Sequence, residues 1–161
     1  METEFRDGDR LAAITVGDGA PAASPELDQE RRVAIYDLLE ENRFRPVGEE
    51  RAGPFELTLD LEGRRLVCAV AAEGGAPIKR FELPLGSVRT AISDYLAVCD
   101  DYFEAIKRLS PGQIEAIDAS RRELHDEGSE ALREKLAAEA AIDPKTARRL
   151  FTLLCAVSPR D

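Results

Sequence analysis

The stretch from Ser110 to Ser129 collects most of the side chains that could do chemistry, including His125, the only histidine of the chain. If this stretch is helical, Glu115, Asp118, Arg122 and His125 follow one another along a single polar stripe. A pair of carboxylates, a guanidinium and an imidazole on one edge suit proton transfer, or the binding of a phosphate or carboxylate.

Arg121 occupies a less expected position, because it falls among the apolar residues of the same helix, next to Leu124. A guanidinium there either extends past the apolar face or meets a carboxylate. Asp94 and Glu104 on the preceding helix are the candidates for that carboxylate. Arg121 is therefore harder to explain as ordinary surface charge than its neighbours are.

A second basic pair, Arg148 and Arg149, lies in the last predicted helix. It comes near Arg121 if the two helices pack side by side, and otherwise it is a solvated pair on an amphipathic helix. The candidate ligand-binding residues are thus Arg121, Arg122, His125 and Arg148, and the candidate catalytic residues are His125 and Asp118.

A purely structural interpretation of the stripe competes with the functional one. Asp118 and Arg122 are four residues apart, a common spacing for a surface ion pair, and the helix dipole favours a histidine near a helix C-terminus. A metal site would use Glu115, Asp118 and His125, but the last two lie about 10 Å apart along a helix. We therefore predict no metal.

The sequence contains no recognisable motif for covalent catalysis or nucleotide binding. Ser120, Ser129 and the cysteines lie in no nucleophile motif, and only one histidine is available as a base. Gly74-Gly75 lacks the lysine and the spacing of a phosphate-binding loop, and no GxGxxG occurs. We predict no cofactor.

Composition narrows the class of protein. The 161 residues suffice for one domain, and 22 basic against 32 acidic residues give a net charge of -10, which disfavours nucleic acid as a partner. The polar, acidic start is unlike a signal peptide, and no apolar run is long enough for a membrane span. We expect a cytoplasmic protein whose three cysteines are buried, reduced thiols.

The pattern of apolar residues predicts an α+β fold: a small antiparallel β-meander of three to four strands packed against a C-terminal set of amphipathic helices. Alternation over 55–61, an apolar run over 66–71 and a third run over 78–83 predict the meander, with turns at Gly63 and Gly74. A strand over 10–16 and a helix that starts at Ser24-Pro25 and ends near Asn42 precede it.

Helical signals dominate the second half of the chain. A long amphipathic helix begins at Ser87, and Ser110-Pro111 starts a second one that we expect to run to about Leu124. Gly128 is expected to stop that helix, Ser129 to cap a further one to about Ala140, and Asp143-Pro144 to start the last. We predict a single domain over 1–161, with 1–9 disordered, the strand, helix and meander in 10–84, and the helical part in 87–157.

Three segments of the sequence resemble a bacterial family catalogued as uncharacterised protein family 0262 of the UPF series. The resemblance spans roughly Leu11 to Val157 and implies a bacterial cytosolic protein of this size with no known activity. The segments that carry it are Glu30–Asn42, Gln113–Asp118 with Arg121–Ser129, and Thr146–Leu153.

The chain departs from that family pattern in two places. The family often has a histidine at the position of Gln29 and a His-Trp-Arg ending at the position of Ser158-Pro159-Arg160. This chain therefore lacks two histidines that could assist His125.

The preferred interpretation is a non-enzymatic binding or regulatory domain that contacts a protein partner or a second copy of itself. The alternative is a small enzyme or sensor that binds an anionic metabolite through Arg121, Arg122 and His125.

Overall fold

A computed structural model describes residues 4–17 and 25–158, except for the side chain of Leu27. The described residues form, in chain order, β1 (Leu11–Val16), α1 (Pro25–Glu40), β2 (Phe44–Pro46), β3 (Phe55–Glu62), β4 (Arg65–Ala72), β5 (Pro77–Pro84), α2 (Gly86–Ala105), α3 (Pro111–Leu136), β6 (Ala140–Ile142) and α4 (Pro144–Val157). The predicted α+β class is confirmed.

Strands β3, β4 and β5 form the predicted antiparallel meander. Cys68 in the middle of β4 lies opposite Leu59 of β3 and Phe81 of β5, and all three side chains are buried. The alternation of apolar and polar residues in β3 places Phe55 and Leu57 in the core together with Leu59. The meander was predictable because each of its turns joins neighbours in sequence.

Strand β1 makes the sheet mixed, because it pairs with β3 in parallel, with Ile14 opposite Leu57. The prediction of a wholly antiparallel sheet is wrong at this edge. Helix α1 intervenes between β1 and β3 and returns the chain to the end of the sheet from which it started, so the two strands run in the same direction.

A second, two-stranded sheet pairs β2 with β6 in antiparallel fashion, with Phe44 opposite Ile142. Neither strand was predicted, since three residues are too few to show a periodic pattern. Strand β6 also lies within the region 87–157, which we predicted as the helical part of the domain. Its effect is to connect the second half of the chain to the segment that follows α1.

Helix α3 is one continuous helix, so the predicted stop near Leu124 and the predicted cap at Ser129 are wrong. Gly128 lies buried inside the helix, where a Cβ atom would overlap the ring of Phe151 on α4. Ser129 donates its hydroxyl proton to the carbonyl oxygen of His125, 2.6 Å away, instead of capping a new helix. Gly128 is needed for close helix packing and has no role in ending the helix.

The other helix starts follow their sequence signals. Ser110 and Gln113 form the predicted capping box of α3, and Asp143 accepts a hydrogen bond from the amide of Thr146 at the start of α4. Pro25 begins α1 as expected, whereas its predicted cap Ser24 lies outside the described residues.

Helix α2 packs chiefly against α3, and α4 packs against both α1 and α3. One hydrophobic core joins these helices to the sheet. Cys68 and Cys155 are buried in it as free thiols, as predicted, whereas Cys99 is only partly buried. Burial and the nearby charge of Glu139 raise the pKa of Cys68 to about 12, which keeps this thiol protonated and unreactive.

Two buried polar residues tie the N-terminal segment to α1 and β2. The side chain of Asn42 accepts a hydrogen bond from the amide of Leu11 and donates to the carbonyl oxygens of Leu11 and Leu38. Asp9 is fully buried and accepts from the amide of Arg6. The expectation of disorder over 1–9 therefore does not describe Asp9, and residues 1–3 lie outside the described residues.

Candidate functional site

Helices α2, α3 and α4 line a depression of about 350 Å³. All four predicted ligand-binding residues border it, together with three that were not part of that prediction. The lining residues are Tyr95, Arg121, Arg122, His125, Arg148, Arg149 and Thr152.

The helical repeat explains how so few elements deliver so many polar groups. Arg121 and His125 are four residues apart on α3, as are Arg148 and Thr152 on α4, so each pair lies on one side of its helix, about one turn apart. The close approach of α3 and α4 at Gly128 brings the two pairs face to face. The packing of α3 against α4 therefore decides that the two pairs share one depression.

Hydrogen bonds hold the imidazole of His125 between α3 and α4. Its Nε2 lies 2.8 Å from Oγ1 of Thr152, and that hydroxyl lies 3.0 Å from the carbonyl oxygen of Arg148. A carbonyl only accepts, so Thr152 donates its one proton to Arg148 and accepts from Nε2–H of His125. Nδ1 faces the hydroxyl of Ser129 at 3.4 Å, and it carries no proton when the imidazole is neutral.

Aromatic rings complete the environment of His125. The rings of Tyr95 and Phe151 each meet the imidazole edge to face, with centroids 5.1 Å away. Burial lowers the pKa of His125 below its ordinary value; Arg148 and Arg121 lower it further, against the opposing effect of Asp126. The free protein therefore holds His125 as a neutral imidazole at neutral pH.

Arg121 forms an ion pair with a carboxylate of its own helix, α3. Its Nη2 donates to Oδ1 of Asp118, one turn away, and its guanidinium lies over the ring of Tyr102, 4.3 Å from the centroid. Of the two alternatives for Arg121, the structure shows the contact with a carboxylate, but that carboxylate is Asp118 and neither of the candidates Asp94 and Glu104. The pairing within α3 leaves the guanidinium beside the aromatic residues of α2, at the edge of the depression.

Each of the other three arginines also has an acidic neighbour. Nε of Arg122 lies 3.4 Å from Asp118, and Nε of Arg148 lies 3.4 Å from Asp126. Arg149 donates to the carbonyl oxygen of Glu41 and lies 4.0 Å from its carboxylate. Four guanidiniums therefore line the depression. The three carboxylates that lie next to them are not among its lining residues.

Asp118, the predicted catalytic partner of His125, does not border the depression. Its carboxylate pairs with the guanidiniums of Arg121 and Arg122 and neutralises part of their charge. Glu115 is exposed, and the described residues contain no cluster of three or more His, Cys, Asp or Glu side chains that could hold a metal ion.

Sequence reasoning missed Thr152 and Tyr95 as site residues. Thr152 resembles any polar residue on the outer face of α4, and Tyr95 follows the helical period of the apolar residues of α2, which is typical of a core residue. The available signal was spacing, because Thr152 follows Arg148 by one helical turn.

The fold and the depression together define an α+β protein whose helical half exposes an arginine-rich concave surface. The chain belongs to the uncharacterised protein family UPF0262, whose model matches residues 8–160. The resemblance inferred from the three sequence segments is thereby confirmed.

The relatives of the chain are bacterial UPF0262 proteins of similar length. The chain is 46% identical to one from Paracoccus denitrificans over 159 residues, 96% of this chain and 98% of the relative. It is 49% identical to one from Dinoroseobacter shibae, covering 90% and 94%, and 50% identical to one from Hyphomonas neptunium, covering 92% and 91%. No solved structure is significantly similar to the chain.

Within the described residues, no helix combines the length and the apolar character that crossing a bilayer requires.

Proposed function

We propose that this protein is a non-enzymatic binding protein for a small anion, with the ligand held by Arg121, Arg122 and Arg148. The observation that carries the proposal is the convergence of four guanidiniums from two helices on one depression, in a chain whose net charge is -10. A concentration of positive charge in an acidic protein is typical of a site for a carboxylate or a phosphate.

The ion pairs of these arginines leave donors for a ligand. Arg122 and Arg148 approach their acidic partners through Nε, and a guanidinium has two further nitrogens with four N–H groups. Their side chains are 65% and 58% exposed, so the terminal nitrogens are accessible. Paired N–H groups match the two oxygens of a carboxylate, which favours a bidentate contact.

The arrangement of His125 favours binding over catalysis. Thr152 could serve as a nucleophile only if His125 accepted its proton, but the hydrogen bonds place a proton on Nε2 and direct the Thr152 proton to Arg148. In the part of the chain that the structure describes, His125 also has no hydrogen bond to a carboxylate that would orient it as a base. The imidazole is suited to sensing the charge of a ligand.

Calorimetric titration with inorganic phosphate and with succinate tests the proposal. Arg122→Gln should weaken binding about tenfold, the effect of losing one charge-assisted hydrogen-bonding group. Arg32→Gln is the matched control, because Arg32 also pairs with an aspartate four residues away and is similarly exposed, yet lies outside the depression. Equal affinities of the two variants, or no binding by the wild type, contradict the proposal.

A protein partner or self-association, the preferred interpretation of the sequence, stays a prediction. Exposed apolar side chains on α1 and α2 support it: Tyr36 is 68% exposed and Phe103 is 57% exposed. The enzyme hypothesis is separable by an assay of turnover, because only that hypothesis expects the bound anion to be converted and the conversion to be lost in His125→Gln.

A further inference from the structure

A second, more apolar depression of about 400 Å³ adjoins the arginine-lined one. Its walls come from α1 and α2, with α4 between them, and Val33, Leu96, Phe103 and Ala156 supply apolar surface. Val33 is 47% exposed, so part of this wall is open to solvent. We call it the apolar groove.

The apolar groove and the arginine-lined depression are neighbours. Tyr95, Arg121 and Thr152 border both of them, so a guanidinium and a hydroxyl lie where one meets the other. A ligand whose anionic group contacts Arg121 therefore has apolar surface on one side and the remaining arginines on the other.

Charge sets the direction in which such a ligand would lie. Glu30 and Asp37 border the apolar groove on the α1 side, whereas all the charged residues that line the depression are basic or, in the case of His125, can become so. An anionic group is repelled by the acidic rim and attracted by the arginines. An apolar chain attached to it gains by leaving water for the surface of Val33 and Phe103.

We infer that the ligand is an amphiphilic anion, with a carboxylate or phosphate head against the arginines and an aliphatic chain in the apolar groove. This inference rests on the proposed function and specifies its ligand class. The continuity of the two depressions and the opposite character of their walls carry it.

Titration with linear alkyl carboxylates from four to ten carbons, below their micelle concentrations, tests the inference. We expect each added methylene to lower the dissociation constant about two- to fourfold until the groove is filled. The matching 1-alkanols should bind more weakly, because they lack the charge that the arginines recognise.

Two pairs of variants separate the head from the chain. Arg122→Gln should weaken every carboxylate by a similar factor, keep the dependence on chain length and leave 1-alkanols unchanged. Val33→Gln should flatten the dependence on chain length and leave butyrate binding intact. Val47→Gln is its control, because Val47 is 49% exposed and borders neither depression, and Arg32→Gln again controls for Arg122.

Two results would overturn this inference while the proposed function survives. One is an affinity that depends on Arg122 but not on chain length. The other is a dimer in sedimentation velocity without ligand that Val33→Gln dissociates, since the groove would then be covered by a second copy. If Arg122→Gln and Arg32→Gln bind the carboxylates with equal affinity, the proposed function is contradicted, and the inference that rests on it fails as well.

Discussion

At the scale of single residues, the surroundings of His125 favour one protonation state of its imidazole. Thr152 can give only one proton, and the carbonyl of Arg148 takes it, so the neutral imidazole carries its proton on Nε2. A second proton would go to Nδ1, which faces the hydroxyl of Ser129. The residue is therefore built into the fold in its neutral form, and becomes charged only when something compensates its burial and the neighbouring arginines.

His125→Gln should change how stability depends on pH. The pKa of His125 is lowered in the folded protein, so as pH falls the unfolded chain, with a pKa of about 6.5, takes up the proton first. Stability is therefore retained above pH 6.5 and lost below it, by about 1.4 kcal/mol per pH unit until the folded pKa is reached.

Urea unfolding of the wild type and of His125→Gln between pH 5 and pH 8 measures this effect. The carboxylates common to both proteins cancel in the difference between their free energies of unfolding. We expect that difference to vary with pH below 6.5 and to be constant above it. Two profiles that stay parallel throughout would show that His125 titrates alike in the folded and unfolded chains.

At the scale of elements, the crossing of α3 and α4 decides whether a site exists. Gly128 lets α3 approach the ring of Phe151, and the ion pair between Asp126 and Arg148 spans the same two helices. The arginines of α3 and α4 face each other only because this contact is close. Gly128 carries no charge itself, yet it controls how closely the charged side chains of the two helices approach one another.

Gly128→Ala should destabilise the protein although alanine is the better helix former. Overpacking against Phe151 costs about 1–3 kcal/mol, whereas the gain in helix propensity is about 1 kcal/mol, so a net loss of up to about 2 kcal/mol is expected in chemical unfolding. Anion affinity should fall as well, because α4 shifts away from α3.

Gly112→Ala is the control for this prediction, because Gly112 is in the first turn of α3 and a Cβ there meets no atom within 4 Å. It should leave stability and anion affinity unchanged or slightly increase stability. If Gly128→Ala has the same free energy of unfolding as Gly112→Ala, α3 and α4 can move apart without loss of stability, which contradicts the prediction.

At the scale of the whole molecule, charge restricts the ligands that can reach the site. The chain has 32 acidic and 22 basic residues, and four of its arginines line one depression, so a small anion can contact these arginines while a long polyanion extends beyond them over a chain of net negative charge. Under the proposed function, we therefore expect ligands that are small or carry their charge at one end.

A short DNA duplex should not bind at physiological salt, with a dissociation constant weaker than about 10⁻⁴ M, the weak end of nonspecific binding. Fluorescence anisotropy of a labelled duplex measures this, with phosphate binding by the same preparation as the control for an active site. Micromolar affinity that weakens steeply with added salt would contradict the prediction.

The local features of the sequence predicted the local features of the structure. The alternation in β3 and the caps at Ser110 and Asp143 were predictable, because each depends on atoms a few residues apart. The same short-range periodicity placed Arg122 and His125 on one polar stripe of a helix, with Arg121 among the neighbouring apolar residues. Gly128 misled the prediction, because a buried glycine in a helix and a glycine that ends one share the same letter.

By itself the sequence determined the α+β class, the meander, the amphipathic helices and the candidate arginines and histidine. Only the tertiary structure decided that β1 pairs in parallel with β3, that α3 continues through Gly128, and that Arg148 and Thr152 face Arg121 and His125. The physical reason is range: propensity, capping and periodicity act within a few turns of chain. A site shared by separate helices depends on how closely their backbones pack, and that is set by contacts between residues far apart in sequence.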